Sequence, residues 1–267
     1  MRVIAIVSPL GGSGRTTLTA HLANLFAQQG KPSLAVDLCA QNLLGMHLGM
    51  PEPSAKGWAQ LAATGQWWAD NSCANSEGVA MLPFGNAGSD TLEAIHRQLH
   101  AQPHWLHDQL ALLDLSEDCT VFLDTPVWPS ALAQAALRCA DCVVVTLEAS
   151  ARAWAHSVGI QALLQQSAAA CNNHGVLVTR FDPRRISQRE ALKRLRDQWG
   201  DQLIPYTLHE DENIPRALAS SMCVGDIAPH AQSAHDLQGV CQWLAGQRAA
   251  PSSMLVRAPA APTAAPP

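Results

Sequence analysis

The sequence predicts an α/β fold in which a doubly wound, mainly parallel β-sheet is flanked by helices. Three observations lead to this prediction. Short apolar runs alternate with helical patterns along the chain, as they do in βαβ units. The runs "VIAIVS" and "CVVVTLEA" are almost continuously apolar, which is typical of strands that are buried on both faces. A glycine-rich loop joins the first of these runs to the first helical pattern, as in a right-handed strand–helix–strand crossover.

The strands are predicted from short apolar runs rich in β-branched residues. In chain order they lie at 3–8, 33–38, 78–85, 120–126, 142–149, 174–180 and 202–208. Because ligands of such sheets bind at the carboxyl ends of the strands, we expect the loops that follow the strands to meet at one site. Those loops begin after Ser8, Asp37, Asp124, Leu147 and Arg180.

The helices are predicted from apolar residues at helical spacing. The first is "TTLTAHLANLFAQQG", in which Leu18, Leu22 and Leu25 share a face and Gly30 marks the end. The others lie at 129–140, 151–170, 185–200 and 234–247. Together with the strands they account for one α/β domain over residues 1–247.

Composition narrows the class of protein. The chain has 267 residues, of which 48% are hydrophobic and 15% are charged, as in globular domains. Its net charge of −5 argues weakly against nucleic-acid binding. The Ala/Pro-rich segment 248–267 is predicted to be disordered. The apolar run at 3–7 is too short for a signal peptide, and no run is long enough to span a bilayer, so we expect a cytoplasmic protein.

The glycine-rich loop, "PLGGSGRTT", has the features of a phosphate-binding loop. Gly11, Gly12 and Gly14 allow sharp turns that bring backbone N–H groups close to phosphate oxygens. Thr16 and Thr17 open the following helix, whose N-terminus favours an anion. Thr16 stands where such loops place a hydroxyl ligand to Mg²⁺.

The loop departs from the usual phosphate-binding pattern at two positions. Pro9 replaces the first glycine, and Arg15 replaces the lysine. Arg15 keeps a positive charge, but as a planar guanidinium with fixed donors. The alternative, a tight strand-to-helix turn without a ligand, is disfavoured by the combination of three glycines, a cation and two threonines.

Five segments resemble the MinD/ParA ATPases, which are P-loop NTPases. "GGSGRTT" resembles their deviant Walker A motif, "VDLCAQNLL" their switch I, and "FLDTPVWPSALA" their Walker B and switch II. "VLVTRFDP" is similar to the strand that meets adenine in that family, and "LIPYTLHEDENIPRALASSMCVGDIAP" to its late segment. The resemblance covers about residues 1–247.

Further stretches resemble one subfamily more closely, the BcsQ (YhjQ) proteins of bacterial cellulose-synthase operons. These stretches are "DLCAQNLLGMHLGM", "GWAQLAATGQWWAD", "MLPFG" and "IPYTLHEDENIPRALA". The combination of "GWA", "GQ-W" and "LPFG" is not a general feature of MinD or ParA, so it distinguishes the subfamily.

The resemblance implies a homodimer that encloses two ATP molecules with Mg²⁺. The residues implied in nucleotide binding are Gly11, Gly12, Ser13, Gly14, Arg15, Thr16 and Thr17 for the phosphates, and Thr179, Arg180 and the backbone from Pro205 to His209 for the base. Thr16, Asp37 and Asp124 are implied in holding the metal. A turn cap is an alternative role for each aspartate, weaker for Asp124 than for Asp37.

The resemblance also implies slow or negligible hydrolysis. The signature lysine of the family is Leu10 here, and the aspartate that orients the attacking water is Cys39. Asp37, Arg15 and Arg152 remain as candidate catalytic groups. Arg152 follows a predicted strand end, so we expect it near the nucleotide, where it could reach a partner's phosphates. A solvated arginine at a helix start is at least as good an interpretation.

Two functions are consistent with these features. The first is a nucleotide-dependent assembly or localisation factor for the cellulose synthase complex, with its subunits and a small BcsR-like accessory protein as partners. It would reach the inner membrane only through those partners. The second is a ParA-like DNA partition or positioning ATPase, for which "DPRRISQREALKRLR" supplies a basic cluster. A metabolic kinase would need a second substrate site, which the sequence does not indicate.

Three further patterns favour ordinary structural roles or leave two roles open. His96, His100, His104 and His107 recur at helical intervals, but Pro103 interrupts them and a solvated face is favoured over a metal site. Cys139 and Cys142 in "CADC" are favoured as buried residues, because no second pair follows. Trp67 and Trp68 could form an apolar staple or a docking surface.

Overall fold

The structure is a computed structural model that describes residues 1–247, and the predicted disorder of 248–267 lies outside the described residues. Within that range eight strands form one sheet. They are β1 (Arg2–Val7), β2 (Ser33–Asp37), β3 (Cys73–Ala74), β4 (Ala80–Leu82), β5 (Thr120–Asp124), β6 (Cys142–Glu148), β7 (Asn173–Phe181) and β8 (Leu203–His209).

Helices connect the strands and cover both faces of the sheet. They are α1 (Arg15–Gln28), α2 (Trp58–Ala63), α3 (Ser89–Ala101), α4 (Trp105–Ala111), α5 (Ala131–Cys139), α6 (Ala151–Ala155), α7 (Ser157–Ala170), α8 (Ile186–Trp199), α9 (Asn213–Ala219), α10 (Val224–Ile227) and α11 (Gln232–Gly246). Short 3₁₀ helices lie at Leu44–Leu48, Trp68–Asn71 and Gly200–Gln202.

The strand order is β3-β4-β2-β5-β1-β6-β7-β8. All neighbouring strands are parallel except β3 and β4, which pair antiparallel. The predicted doubly wound, mainly parallel sheet is therefore confirmed. In the register of β2 with β5, Asp37 lies opposite Asp124, so the last residues of two adjacent strands are side by side.

The central strands are buried on both faces, as their continuous apolar runs predict. Along β1, Val3, Ala5 and Val7 pack into one core and Ile4 and Ile6 into the other. This alternation follows from the two-residue period of a strand. Both faces of the sheet are thus fixed by packing, which leaves the carboxyl ends of the strands as the place for a ligand.

Four large aromatic side chains pack together beside β2. Trp58 lies with its ring centroid 5.1 Å from that of Phe84 and 6.0 Å from those of Trp68 and Trp105. The Trp58 indole N–H donates to the carbonyl of Asp37 at 2.6 Å. Trp68 is fully buried and belongs to the core, whereas Trp67 is 39% exposed and lies at the surface.

The structure has helices outside the five predicted ranges, namely α2, α3, α4, α9 and α10, and it differs from the predicted elements in two further places. The helix predicted at 151–170 is divided into α6 and α7, because His156 leaves helical geometry with φ −95° and ψ 20°. The two-residue strand β3 was not predicted, since so short an edge strand has no readable alternation. As predicted, the helical pattern breaks at Pro103, between α3 and α4.

Two surface features follow from these helices. The histidines at 96, 100, 104 and 107 are all exposed on α3 and α4. Cys139 and Cys142 are buried, and the Cys139 thiol donates to the carbonyls of Ala135 and Ala136. Between residues 1 and 247, none of the helices is both long enough and apolar enough to serve as a membrane span.

Gly57 fixes how α2 packs, and it provides a test of the fold. A Cβ at Gly57 would meet backbone atoms of Phe84 and Gly85. We expect Gly57→Ala to lower the free energy of unfolding by about 1–3 kcal/mol, because the clash displaces α2 and loosens Trp58. Urea unfolding measures the change.

Gly88→Ala is the matched control, since nothing lies within 4 Å of a Cβ built there. If both variants unfolded at the same urea concentration as the unsubstituted chain, the close approach of α2 to the segment after β4 would be incorrect.

Candidate functional site

The glycine-rich loop leaves β1 and enters α1 through two residues in left-handed conformation. Gly12 has φ +80° and Gly14 has φ +78°, with open space in front of each, so both positions favour glycine. The Leu18 N–H donates to the carbonyl of Gly14 at 2.9 Å. The N–H groups before it belong to the free N-terminus of α1. No acidic residue lies in that first turn, so the positive end of the helix is available to an anion.

Four consecutive carbonyls of this loop each accept a hydrogen bond from a side chain. Leu10 O accepts from Arg15 Nη1 at 2.8 Å, and Gly11 O from Arg152 Nη2 at 2.9 Å. Gly12 O accepts from Arg180 Nη1 at 3.4 Å, and Ser13 O from the Thr179 hydroxyl at 2.9 Å. Side chains from α1, α6 and β7 thus hold the loop backbone at four successive residues.

The three arginines reach the loop from three different places. Arg15 also donates from Nε to the carbonyl of Thr125 at 2.8 Å, which joins the loop to the segment after β5. Arg152 lies near Glu148 at 3.4 Å and is exposed. Arg180 pairs with Glu210 through two hydrogen bonds of 2.9 and 3.2 Å. Arg15 and Arg152 therefore both contact the backbone of the loop.

A cleft of about 440 Å³ opens in front of the loop. It is lined by Gly12, Gly14, Arg15, Thr16, Thr17, Leu18, His47, Thr179, Arg180, Leu208, His209, Glu210, Asp211, Ile214, Pro215, Leu218, Ser233 and Leu237. One end is formed by the glycine-rich loop and the other by apolar residues of β8, α9 and α11. This combination of a polar and an apolar end suits a small organic ligand that carries phosphate.

Seven of the predicted binding residues line this cleft, and three do not. Gly11 lies outside the lining, and Ser13 is buried behind the loop, where its hydroxyl is 2.8 Å from that of Thr146. Pro205 is exposed on β8, away from the cleft, so the structure does not bring it to the predicted base site. Leu208 and His209, later in the same segment, do line the cleft.

Asp37 and Asp124 meet at the ends of β2 and β5, next to Cys39. One ligand atom from each of the three residues lies within 4.8 Å of the others, and all three are buried. The carboxylate of Asp37 accepts the N–H of Cys39 at 2.8 Å and the N–H of Leu44 at 3.1 Å. Asp37 therefore also caps the loop after β2, which was the alternative reading of its sequence position. Neither carboxylate oxygen of Asp124 accepts a hydrogen bond of good geometry, although the Thr16 hydroxyl and the Cys39 thiol lie close to it.

The electrostatics of this cluster disfavour two negative charges. Burial raises the pKa of Asp124 to about 6, although the Thr16 hydroxyl, the Arg15 guanidinium and the Cys39 thiol favour its charged form. Burial and the nearby charge of Asp124 raise the pKa of Asp37 well above its ordinary value. Burial and both carboxylates also raise the pKa of the Cys39 thiol.

These residues fit a divalent cation. Two buried carboxylates, one of them without a partner, and the adjacent hydroxyl of Thr16 form an oxygen-rich set beside the phosphate end of the cleft. Oxygen ligands of this kind suit Mg²⁺, which is usually held by one or two carboxylates together with phosphates.

Comparison with known families agrees with this geometry. The family model for the cellulose biosynthesis protein BcsQ matches residues 1–244. The chain belongs to the BcsQ family. The BcsQ protein of Escherichia coli K12 is 26% identical over 257 residues, which cover 91% of this chain and 94% of that protein.

Proteins named for other roles also resemble this BcsQ family member. The chromosome-partitioning ATPase Soj of Thermus thermophilus is 28% identical over 88% of this chain and 92% of that protein. The septum site-determining protein MinD of Pyrococcus horikoshii, solved in complex with Mg-ADP, has a TM-score of 0.73. It is 21% identical and covers 92% of this chain and 97% of its own. The fold is therefore that of the MinD/ParA-like P-loop ATPases.

Sequence reasoning missed His47, which lines the cleft from the 3₁₀ helix after β2. Its Nε2 lies 3.5 Å from the Thr17 hydroxyl, and its buried Nδ1 has no partner. Its ring is 5.5 Å from that of His21, which accepts the N–H of Val224. Burial lowers the pKa of His47 to about 3 and that of His21 to about 4, so both are neutral at neutral pH. No spacing in the sequence could indicate a pair that only the tertiary fold brings together.

The raised pKa of Asp124 leads to a test of the cation site. The folded chain holds the Asp124 proton more tightly than the unfolded chain, so ionised Asp124 costs stability at high pH. We expect Asp124→Asn to raise the free energy of unfolding by about 3 kcal/mol at about pH 8. The gain should shrink as the pH falls through about 6 and vanish near the ordinary aspartate value of 3.8.

Urea unfolding in the absence of nucleotide and metal, over a series of pH values, measures this difference. Asp118→Asn, at an exposed position just before the same strand, is the matched control and should change little. If Asp124→Asn were no more stable than the unsubstituted chain at high pH, the conclusion that ionised Asp124 costs stability would be wrong.

Proposed function

We propose that this chain is an ATP-binding, nucleotide-dependent dimeric factor that assembles or localises the bacterial cellulose synthase complex, with slow or negligible ATP hydrolysis. The observation that supports it most directly is the pairing of a preformed phosphate loop with a buried carboxylate pair, in a chain of the BcsQ family. The family match supports a role in cellulose synthesis, and the geometry of the site supports ATP binding.

The phosphates of ATP would bind at the N–H groups between Gly11 and Thr17. Thr16 would coordinate Mg²⁺, and Asp37 and Asp124 would hold it through water. The bound Mg²⁺ supplies positive charge that neutralises the phosphates and the two carboxylates together. Binding of the metal nucleotide thereby removes the cost of keeping Asp124 ionised without a partner.

The base would occupy the apolar end of the cleft. Leu208, Ile214 and Leu218 line that end, and Asp211 is fixed there by hydrogen bonds to Ser233 at 2.8 and 3.1 Å. Arg180 and the backbone of β8 lie nearby and would contact the base or ribose. Thr179, whose hydroxyl bonds to Ser13 O, would act by holding the loop.

ATP hydrolysis would be slow because Leu10 and Cys39 replace two residues that the MinD/ParA ATPases use for it. Leu10 is partly buried and packs against the core, so it offers no charge to a partner's phosphates. The Cys39 thiol, with its raised pKa, stays protonated and orients water poorly. Arg15 and Arg152 are the candidate cations, and each is held by a loop carbonyl of its own chain. Arg152, which is exposed, would have to leave Gly11 to reach a partner.

The dimer would enclose two ATP molecules at its interface and present a surface to synthase subunits and to a small BcsR-like accessory protein. The exposed Trp67 supports a docking role for its segment. The chain would work in the cytoplasm and reach the inner membrane through those partners.

The alternative is a ParA-like partition or positioning ATPase, which the likeness to Soj supports. The basic cluster that this function would use is partly engaged in other contacts in the structure. Arg184 and Arg185 lie 2.9 and 3.3 Å from Asp182, and Arg194 stacks 5.5 Å above the ring of Trp154. Salt-dependent binding to random duplex DNA would favour this alternative over the first proposal.

Nucleotide-dependent dimerisation is the direct test. We expect the mass in solution to double on addition of ATP and Mg²⁺, and Thr16→Ala to weaken ATP binding by at least about tenfold, because a metal ligand is lost. Light scattering and calorimetry measure the two quantities. Thr64→Ala, at an exposed threonine, is the control. No heat from ATP with Mg²⁺ would refute the proposal, and unchanged dimerisation of Arg152→Ala would exclude its contact with a partner.

The replaced residues give a second test. We expect the double variant Leu10→Lys, Cys39→Asp to hydrolyse ATP at least about tenfold faster than the unsubstituted chain, because it restores a cation in trans and a group that orients water. Phosphate release under saturating ATP measures the rate. The single variants should each gain less, and an unchanged rate in the double variant would show that other features limit turnover.

A further inference from the structure

We propose that Asp37, Cys39 and Asp124 form a binding site for a thiophilic divalent metal ion of the Zn²⁺ class, which the chain can occupy without nucleotide. The site goes beyond the magnesium role proposed above, since it adds a sulfur ligand and replaces water-mediated contacts with direct ones.

The geometry places three donors of suitable type around one point. One ligand atom of each residue lies within 4.8 Å of the other two, so small side-chain movements bring all three to ligand distance of a single ion. Asp37 and Asp124 are held there by the register of β2 with β5. Cys39 is held by its own N–H, which donates to the Asp37 carboxylate at 2.8 Å. Among residues 1–247, no other group of three such donors is found.

An independent observation indicates that the site is built for a ligand. Asp124 is fully buried, and neither of its carboxylate oxygens accepts a hydrogen bond of good geometry. Its charge is costly there, because Arg15, Thr16 and Cys39 compensate it only in part and its pKa stays raised. A cation bound between Asp124 and Asp37 would supply the missing compensation.

The sulfur ligand decides which cation is preferred. Zn²⁺ is bound by thiolate, imidazole and carboxylate, whereas Mg²⁺ takes oxygen ligands in octahedral geometry. On binding, the Cys39 thiol loses its proton to solvent and the sulfur forms the metal bond, so one proton leaves for each S–metal bond made. Three protein ligands leave a fourth position open for water or for a phosphate oxygen.

A metal at this point would also connect to the loop after β2. The carboxylate of Asp37 accepts the N–H of Leu44, the first residue of the 3₁₀ helix that carries His47 to the cleft. Direct ligation would fix Asp37 and Cys39 together and would occupy the carboxylates that a nucleotide-bound Mg²⁺ needs. Zn²⁺ should therefore compete with Mg²⁺ for the chain.

The test uses the full-length chain, freed of metal and nucleotide, with Co²⁺ as a spectroscopic probe and Zn²⁺ as competitor. We expect one equivalent of Co²⁺ to produce a thiolate-to-metal charge-transfer band in the near ultraviolet, which Zn²⁺ removes. Cys39→Ser and Cys39→Asp should lose the band, and Cys39→Ser should weaken Zn²⁺ binding by at least about tenfold. Cys119→Ser, at a buried cysteine next to the opposite end of β5, should keep both.

Two results would overturn the proposal. They are the absence of a charge-transfer band in the unsubstituted chain, and a band that persists in the Cys39 variants. Circular dichroism checks that the variants fold, and Cys39→Asp decides the matter if Cys39→Ser does not fold. Since no nucleotide is present, the metal site and the proposed ATP binding can fail separately.

Discussion

The register of β2 with β5 is the constraint on which the rest of the site depends. It sets Asp37 opposite Asp124 at the ends of two parallel strands that are buried on both faces. Neither strand can slide without moving its apolar residues out of two cores, so the carboxylates cannot separate. Two negative charges held together in the interior are costly, and the cost is relieved by protonation or by a cation. The fold therefore favours either protonation or a bound cation at this pair before any nucleotide binds.

The conformation of the glycine-rich loop is also fixed by contacts with other elements of the fold. Arginine and threonine side chains from α1, α6 and β7 hold the carbonyls of Leu10 to Ser13. Arg15 stands where a lysine usually reaches the phosphates, yet two of its donors are used on the backbone. The planar guanidinium of Arg15 can donate to two carbonyls and still present further N–H groups. A lysine has a single ammonium group and is less suited to such multiple contacts. The replacement favours a loop that is preformed for binding.

The sequence predicts local features of this molecule well and long-range ones less well. Apolar runs and helical spacing indicate seven of the eight strands, and the motif "GGSGRTT" with the aspartates at strand ends indicates the phosphate and metal positions. The roles of Arg15 and Arg152 on loop carbonyls could not be predicted, because a charged residue near a loop does not reveal its partner. His47 and the apolar end of the cleft come from segments far apart in the chain, so no local pattern indicates them.

Cys39 gives a physical reason why nucleotide binding and turnover would separate under the proposed function. A third carboxylate at this position would add another negative charge to a buried pair that already disfavours two. A protonated thiol avoids that repulsion and leaves the Asp37 cap of the loop intact. The same neutrality removes the group that would orient an attacking water. Under the proposed function, a cysteine at this position would both lower the cost of the metal-free fold and weaken hydrolysis.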